Sequence, residues 1–228
     1  MSAHTLDRPV WNCLNGPQAA LAVWHGEAVR IDPAYGPFAA ARDRSDASSS
    51  GLAALLSGQD DVLWLVEPEA WPAPPGMRVV RTAPLAQMVA DHPAPDSGDD
   101  DIVVLGEADA AEMVALAHST EPGPWGSATH RYGQFFGARE NGRLIAMAGR
   151  RMRPDGRFAE VSGVCTAPSA RGRGLAGRLI RRVMAGMRQD GLTPFLHSYA
   201  GNASAIRLYR SLGFEVRREM VVTMLARG

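Results

Sequence analysis

The chain has 228 residues, 46% of them hydrophobic, with 24 basic and 24 acidic side chains and a formal net charge of zero. A chain of this length buries roughly 70% of the surface its unfolded form exposes and needs no metal or disulfide staple to fold. Zero net charge without a long basic or acidic tail argues against a bulk polycation of the nucleic-acid-packaging kind. All the basic residues are arginine, a permanent planar cation suited to bidentate phosphate or carboxylate contacts. The balance is also a cancellation, because residues 1–100 carry 6 Arg against 13 acids (−7) and residues 101–228 carry 18 Arg against 11 (+7). Cys13 and Cys165 are too few for a disulfide framework or a metal cluster, so no metal site is expected. Met1 to Asn12 shows no secretory pattern, and no apolar run approaches the ~20 residues of a membrane span. The expectation is a cytoplasmic protein with neither a membrane nor a nucleic-acid partner, a monomer or homodimer.

In chain order, Leu21 to Ile31 alternates around His25-Gly26 like a hairpin, and Gly51 to Leu56 reads as helical. Asp61 to Val66 and Met77 to Arg81 read as short buried strands, and Pro84 to Ala90 as a second helical segment. A Pro-rich stretch at Glu67 to Gly76 and a polar, acidic connector at Asp91 to Asp101 punctuate this half, and the connector places a domain boundary near 92–101. The β-branched run Ile102 to Leu105 predicts a strand, followed by a helix over Glu107 to His118. Phe135 to Glu140 and Leu144 to Met152 are strands joined by Asn141-Gly142, a dipeptide that favours the positive φ values of a type I′ turn. After the turn at Pro154-Asp155-Gly156, Phe158 to Thr166 forms the third strand of an antiparallel meander. The period then changes: Leu175, Leu179, Ile180, Val183, Met184 and Met187 repeat at helical spacing with arginines opposite them. Pro194 to Tyr199 predicts a strand, and Asn202 caps a second amphipathic helix closed by Gly213. Phe214 to Leu225 supplies one or two final strands.

Between the third meander strand and the long helix lies Ala170-Arg171-Gly172-Arg173-Gly174-Leu175-Ala176. Its glycines permit close backbone approach, and the N–H groups opening a helix make an anion site for which a pyrophosphate is the expected guest. Neither the P-loop nor the dinucleotide fingerprint matches, since the loop follows an antiparallel meander rather than opening a βαβ unit. A flexible turn is the bland reading of the glycines alone.

Arg171-Gly172-Arg173-Gly174-Leu175-Ala176 resembles the R/Q-x-x-G-x-G/A signature of the GNAT superfamily of acyl-CoA-dependent N-acyltransferases. A second element of that family, N-x-x-A-x-x-L-Y-x-x-L-G-F, runs uninterrupted from Asn202 through Tyr209 to Phe214. The resemblance covers about residues 101–228. Val164-Cys165-Thr166, the Arg-Gly-Arg-Gly loop and Pro194 to His197 look most like the subgroup related to glycine N-acyltransferases, often called FR47-like. The resemblance implies an α/β (α+β) acyltransferase fold: a mixed, mostly antiparallel sheet flanked by helices, splayed where acyl-CoA inserts. It also implies a domain over residues 101–228 preceded by a degenerate acyltransferase-like half over residues 1–95 that completes the sheet and walls the acceptor site.

The implied activity is transfer of an acetyl group from acetyl-CoA to a primary amine by direct attack, the acceptor being a small-molecule amine or a protein N-terminus. The backbone around Val164, Cys165 and Thr166 would pair with pantetheine. The N–H groups from Gly172 through Arg173, Gly174 and Leu175 to Ala176 would hold the pyrophosphate, with charge from Arg171 and Arg173. Asn202 would cap its helix and touch pantetheine. Glu160, mid-strand among apolar neighbours that should push its pKa up, is the first candidate for general base, and His197 on the neighbouring strand is the second. By alternation Glu160 should share a face with Ser162 and Val164, with Cys165 opposite. Tyr209 is the candidate acid for the departing thiolate. Glu121 and Trp125, in the loop after the first helix of this half, are candidates to touch the acceptor. Ion-paired, packed or solvent-facing roles compete for each of these residues. Two other readings stay open: an acyl-CoA-binding module without catalysis, and a nucleotide-binding protein using the Gly-rich loop. Longer acyl chains, passed to an amino acid such as glycine, also fit.

Overall fold

A computed structural model describes residues 4–96, 98 and 101–228; Met1 to Ala3 and, within the acidic connector, Ser97, Asp99 and Asp100 lie outside the described residues. The chain opens with α1 (Pro9–Leu14), then β1 (Ala22–His25), β2 (Ala28–Ile31) and β3 (Ala39–Ala41), which form a three-stranded antiparallel sheet. α2 (Asp46–Leu55) covers that sheet, capped by the Ser45 side chain, which accepts from the Ser48 N–H. There follow β4 (Leu63–Glu67), β5 (Met77–Val89), β6 (Ile102–Leu105), α3 (Ala110–Thr120), β7 (Phe135–Glu140), β8 (Arg143–Arg150) and β9 (Phe158–Thr166). The chain closes with α4 (Leu175–Gln189), β10 (Thr193–Tyr199), α5 (Ala203–Ser211) and β11 (Glu215–Arg227).

Eight strands make one sheet in the order β4-β11-β5-β10-β9-β8-β7-β6, and only its β9–β10 pairing is parallel. The mixed, mostly antiparallel α/β architecture is therefore as expected. The stripe of α4 that includes Leu179, Ile180, Val183 and Met184 is fully buried against one face of the sheet, together with Ala146, Ala148 and Val161. On the other face α3 packs on Met147, Phe135 and Cys165, while the first residues of the chain and Phe38 pack on Leu85, Phe158 and Phe195.

Pro84 to Ala90 is not helical but the second half of β5, which runs unbroken between β11 and β10. Pro84 is tolerated there because its carbonyl, and with it the side of the missing N–H, points to Ala200 just past the end of β10, so no ladder bond to β11 is lost. Residues 63–89 thus belong to the same sheet as residues 102–227, and the connector at 91–101 marks no seam in it. Phe214 to Leu225 resolves as one long strand, and α1 is a helix without a strong sequence signal. The Asn141-Gly142 turn has φ values of 50° and 80°, the type I′ signature.

Two irregularities shape the centre of the sheet. β9 and β10 pair over three positions only, Phe158 to Glu160 against Thr193 to Phe195, and then part. On its other side β9 carries a bulge: Met147 and Gly149 of β8 stand opposite Cys165 and Ser162, with Gly163 at φ 63°. The extra residue reverses the alternation, so Val164 joins Ala159 and Val161 on the α4 face and Cys165 turns to α3. The expectation that Val164 shares the face of Glu160, with Cys165 opposite, is corrected by this bulge. A Cβ at Gly163 would stand 2.8 Å from Phe135 and 2.9 Å from Trp125. Gly163→Ala combines that clash with a left-handed backbone and should cost about 1–3 kcal/mol, read as a lower urea midpoint with an unchanged m-value.

Candidate active site

Where β9 and β10 part, a cavity of about 710 Å³ opens between the two strands, the start of α4 and the start of α5. The Gly-rich loop forms one end of it. Gly172 and Gly174 both lie in the left-handed region, at φ 78° and 74°, and a Cβ on either would meet nothing within 4 Å. Gly174 is the N-cap of α4 and offers no side chain to the first turn, so the leading N–H groups of a 15-residue helix are left for a ligand. Uncapped helix donors, glycines open to the cavity and flanking arginines fit a pyrophosphate. Arg171 is exposed, with its Nε 3.4 Å from the Thr166 carbonyl, and Arg173 pairs with Glu140 at 3.0 Å. The Val164 to Thr166 backbone lines the cavity along the edge of β9 that β10 has left. Asn202 accepts from the Ala205 N–H at 3.2 Å, capping α5 as expected, and also lines the cavity.

Tyr209 reaches the cavity from α5, two helical turns beyond Asn202. Its ring meets Phe214 edge-on at 6.0 Å, burial pushes its hydroxyl pKa up, and that hydroxyl has no hydrogen-bond partner among the described residues. The Cys165 thiol, buried against α3, is pushed up to about 11 by burial, which removes it as a nucleophile at neutral pH. Glu121 lies at the cavity mouth, as the left-handed C-cap of α3 at φ 48°. Trp125 does not line the cavity: its ring packs edge-on against Phe135 at 5.4 Å and covers Gly163.

Glu160 is fully buried and does not line the cavity either. Arg151 grips it with two bonds, Nε to Oε2 at 2.7 Å and Nη2 to Oε1 at 2.9 Å, and His197 Nδ1 lies 2.9 Å from Oε1. Burial alone would push the carboxyl up, but the Arg151 charge and the His197 N–H outweigh it and hold its pKa down at about 2. The expectation of a raised pKa is overturned, because the dominant neighbour is a cation rather than apolar surface. A carboxylate held this low is a weak proton acceptor.

His197 does line the cavity, and the roles of its two ring nitrogens follow from Gln87. Arg217 Nη1 donates to Gln87 Oε1 at 2.7 Å and Gln87 Nε2 donates to the Leu6 carbonyl at 2.7 Å, so the amide has one workable orientation. Its Nε2 therefore faces His197 Nε2 at 3.0 Å as a donor. The imidazole accepts there and donates from Nδ1 to Glu160, which is the neutral tautomer. Arg151 and Gln87 escaped the sequence reading. Arg151 stands at the end of a meander strand beside a second arginine, and Gln87 is a lone polar residue in a segment read as helix. Period-two alternation around Leu85, Gln87 and Val89 was the available signal.

A family model described as the acetyltransferase (GNAT) family matches residues 107–214. The crystal structure of a GNAT-family protein from Novosphingobium aromaticivorans DSM 12444 is 62% identical, with a TM-score of 0.95 over 99% of this chain and 100% of that one. A GCN5-related N-acetyltransferase from Kribbella flavida, 22% identical with a TM-score of 0.58 over 90% of this chain and 88% of that one, shares the fold. A mycothiol acetyltransferase from Brachybacterium faecium is 39% identical over 74 residues, 32% of this chain but 22% of that protein, so the match spans about a fifth of that relative's length.

The Glu160 pKa lies below its ordinary 4.5, so its contribution to stability is complete above that value and is lost as pH falls toward about 2. Urea midpoints should therefore decline through this window, and Glu160→Gln should flatten the decline. At neutral pH the same variant leaves Arg151 buried without its partner and should be less stable by about 3–5 kcal/mol.

Proposed function

The chain belongs to the GNAT acetyltransferase family, and from that premise we propose that it transfers an acetyl group from acetyl-CoA to a primary amine by direct attack. The single observation that carries this reading is the cavity itself, with the open N-terminus of α4 at one end and Tyr209 and His197 along its walls. Bound acetyl-CoA supplies the thioester whose acetyl group passes to the amine and whose sulfur departs as the thiol. The N–H groups from Gly172 to Ala176 hold the pyrophosphate, with Arg171 and Arg173 adding charge beside it. The free edge of β9 at Val164 and Thr166 takes the pantetheine amides as an added strand would. Asn202 lies within reach of the same arm. The Tyr209 hydroxyl, kept protonated by burial, delivers a proton to the departing sulfur.

His197 is the one imidazole lining the cavity among the described residues, and we assign it the proton lost by the amine, taken up at Nε2 as the Gln87 amide turns away from that nitrogen. Glu160 is a positioning residue that receives the Nδ1–H, and Gln87 holds Nε2 until a proton arrives there. The subgroup related to glycine N-acyltransferases remains part of the proposal, resting on the Arg-Gly-Arg-Gly loop and Pro194 to His197. A sensing module without catalysis would keep the loop yet have no use for Tyr209 or His197.

Free-thiol release from acetyl-CoA across an amine panel tests the reaction, and Tyr209→Phe should lower kcat by about 100-fold or more while leaving the KM for acetyl-CoA near its original value. Acetyl-CoA at about 100 times its Kd should add roughly 2.7 kcal/mol to stability, which ATP and NAD should not.

A further inference from the structure

We propose that the acceptor is a primary amine carrying an apolar, ring-sized body and no second cationic group. The inference rests on the acetyl-transfer reading above and concerns the end of the cavity remote from the Gly-rich loop. That end is walled by Phe38, Trp64, Val66, Leu85, Met152 and Val222. These residues come from β4, β5, β11 and the segments holding Phe38 and Met152, yet form one continuous apolar cluster on the sheet face opposite α4. Trp64 is the half-buried member of the wall, and Phe38 meets it edge-on at 6.2 Å. A ring laid against Trp64 would find aromatic and aliphatic surface, and removing that surface from water favours binding in proportion to area.

The charges around this end decide against a polyamine or an aminoglycoside. Among the described residues the one carboxylate lining the cavity is Glu121, exposed in the Thr120–Pro124 segment at the mouth rather than on the apolar wall. Glu160 is buried behind the wall and held by Arg151, and Glu67 is held by Arg8 at 3.2 Å. Arg151 is the cation on this side, with its guanidinium 4.5 Å from the centre of the Phe38 ring. A second ammonium group carried into this chamber would lose its hydration, gain no counter-charge and face an arginine. For a monoamine the same apolar wall disfavours the ammonium form and favours the free amine, which is the form that attacks.

The test is acetyl-CoA turnover by the full chain with phenethylamine and tryptamine against spermidine and kanamycin at one pH. The expected result is a kcat/KM at least ten-fold higher for the two aromatic amines. Trp64→Ala should lower kcat/KM for them by about ten-fold or more through KM, with the KM for acetyl-CoA and the thermal midpoint in its presence little changed. Trp64→Phe should keep most of the activity and guards against a folding defect in the alanine variant. A preference for spermidine or kanamycin, or no turnover of the aromatic amines while acetyl-CoA still stabilises the protein, overturns this inference and leaves the cofactor reading standing. Failure of acetyl-CoA to stabilise the protein, with no thiol released by any amine, overturns the acetyl-transfer reading beneath it.

Discussion

Two parallel strands that pair over three positions and then diverge leave a row of backbone N–H and C=O groups facing each other across a widening gap, too far apart to satisfy one another. In a closed sheet such a gap would be a defect to be filled by a third strand or by water. Here it is held open from both sides. β5 and α4 fix the course of β10, while the bulge at Gly163 and the packing of Phe135 and Trp125 fix that of β9. The cavity, its Gly-rich end and its apolar end all follow from this parting, because the start of α4 lies directly after the free stretch of β9.

Under the apolar chamber runs a chain of buried and half-buried polar groups, from Arg151 through Glu160, His197 and Gln87 to Arg217 and Asp7. Its members come from four strands of the large sheet, the segment after β8 and the first residues of the chain. Such a network contributes modestly when complete and costs several kcal/mol when one partner is lost. That asymmetry makes it a device for holding geometry more than a source of net stability. It ties the placement of one imidazole to residues that lie more than a hundred positions away in sequence.

Much of the fold was legible in period and turn chemistry. The meander from β7 to β9, the amphipathic α4 with its buried stripe, the Asn202 cap and the Asn141-Gly142 turn all followed from local rules, and the loop joining β9 to α4 stood out by its glycines. β5 was misread in part because Pro84 looks like a helix opener when the strand beside it cannot be seen; which edge carries the missing N–H is a tertiary fact. The face reversal after Gly163 was hidden for a similar reason, since a bulge is defined by the partner strand. The site was legible at its Gly-rich end, where glycines and open helix N–H groups shape the cavity. It was much less so at Glu160, whose environment is set by Arg151 nine residues earlier, and in the apolar chamber, whose wall is assembled from five separate places in the chain.

The order of strands across the large sheet has a consequence for how the molecule comes into being. β5 lies between β10 and β11, so a strand made at residues 77–89 finds both of its neighbours only when residues 193–227 have been synthesised. At ~5–20 residues per second on the ribosome, that strand waits several seconds with both edges unpaired. Its first half carries exposed arginines at positions 78 and 81, side chains that discourage edge-to-edge association with other chains during the wait. The cavity that opens where β9 and β10 part is thus among the last features of the fold to form.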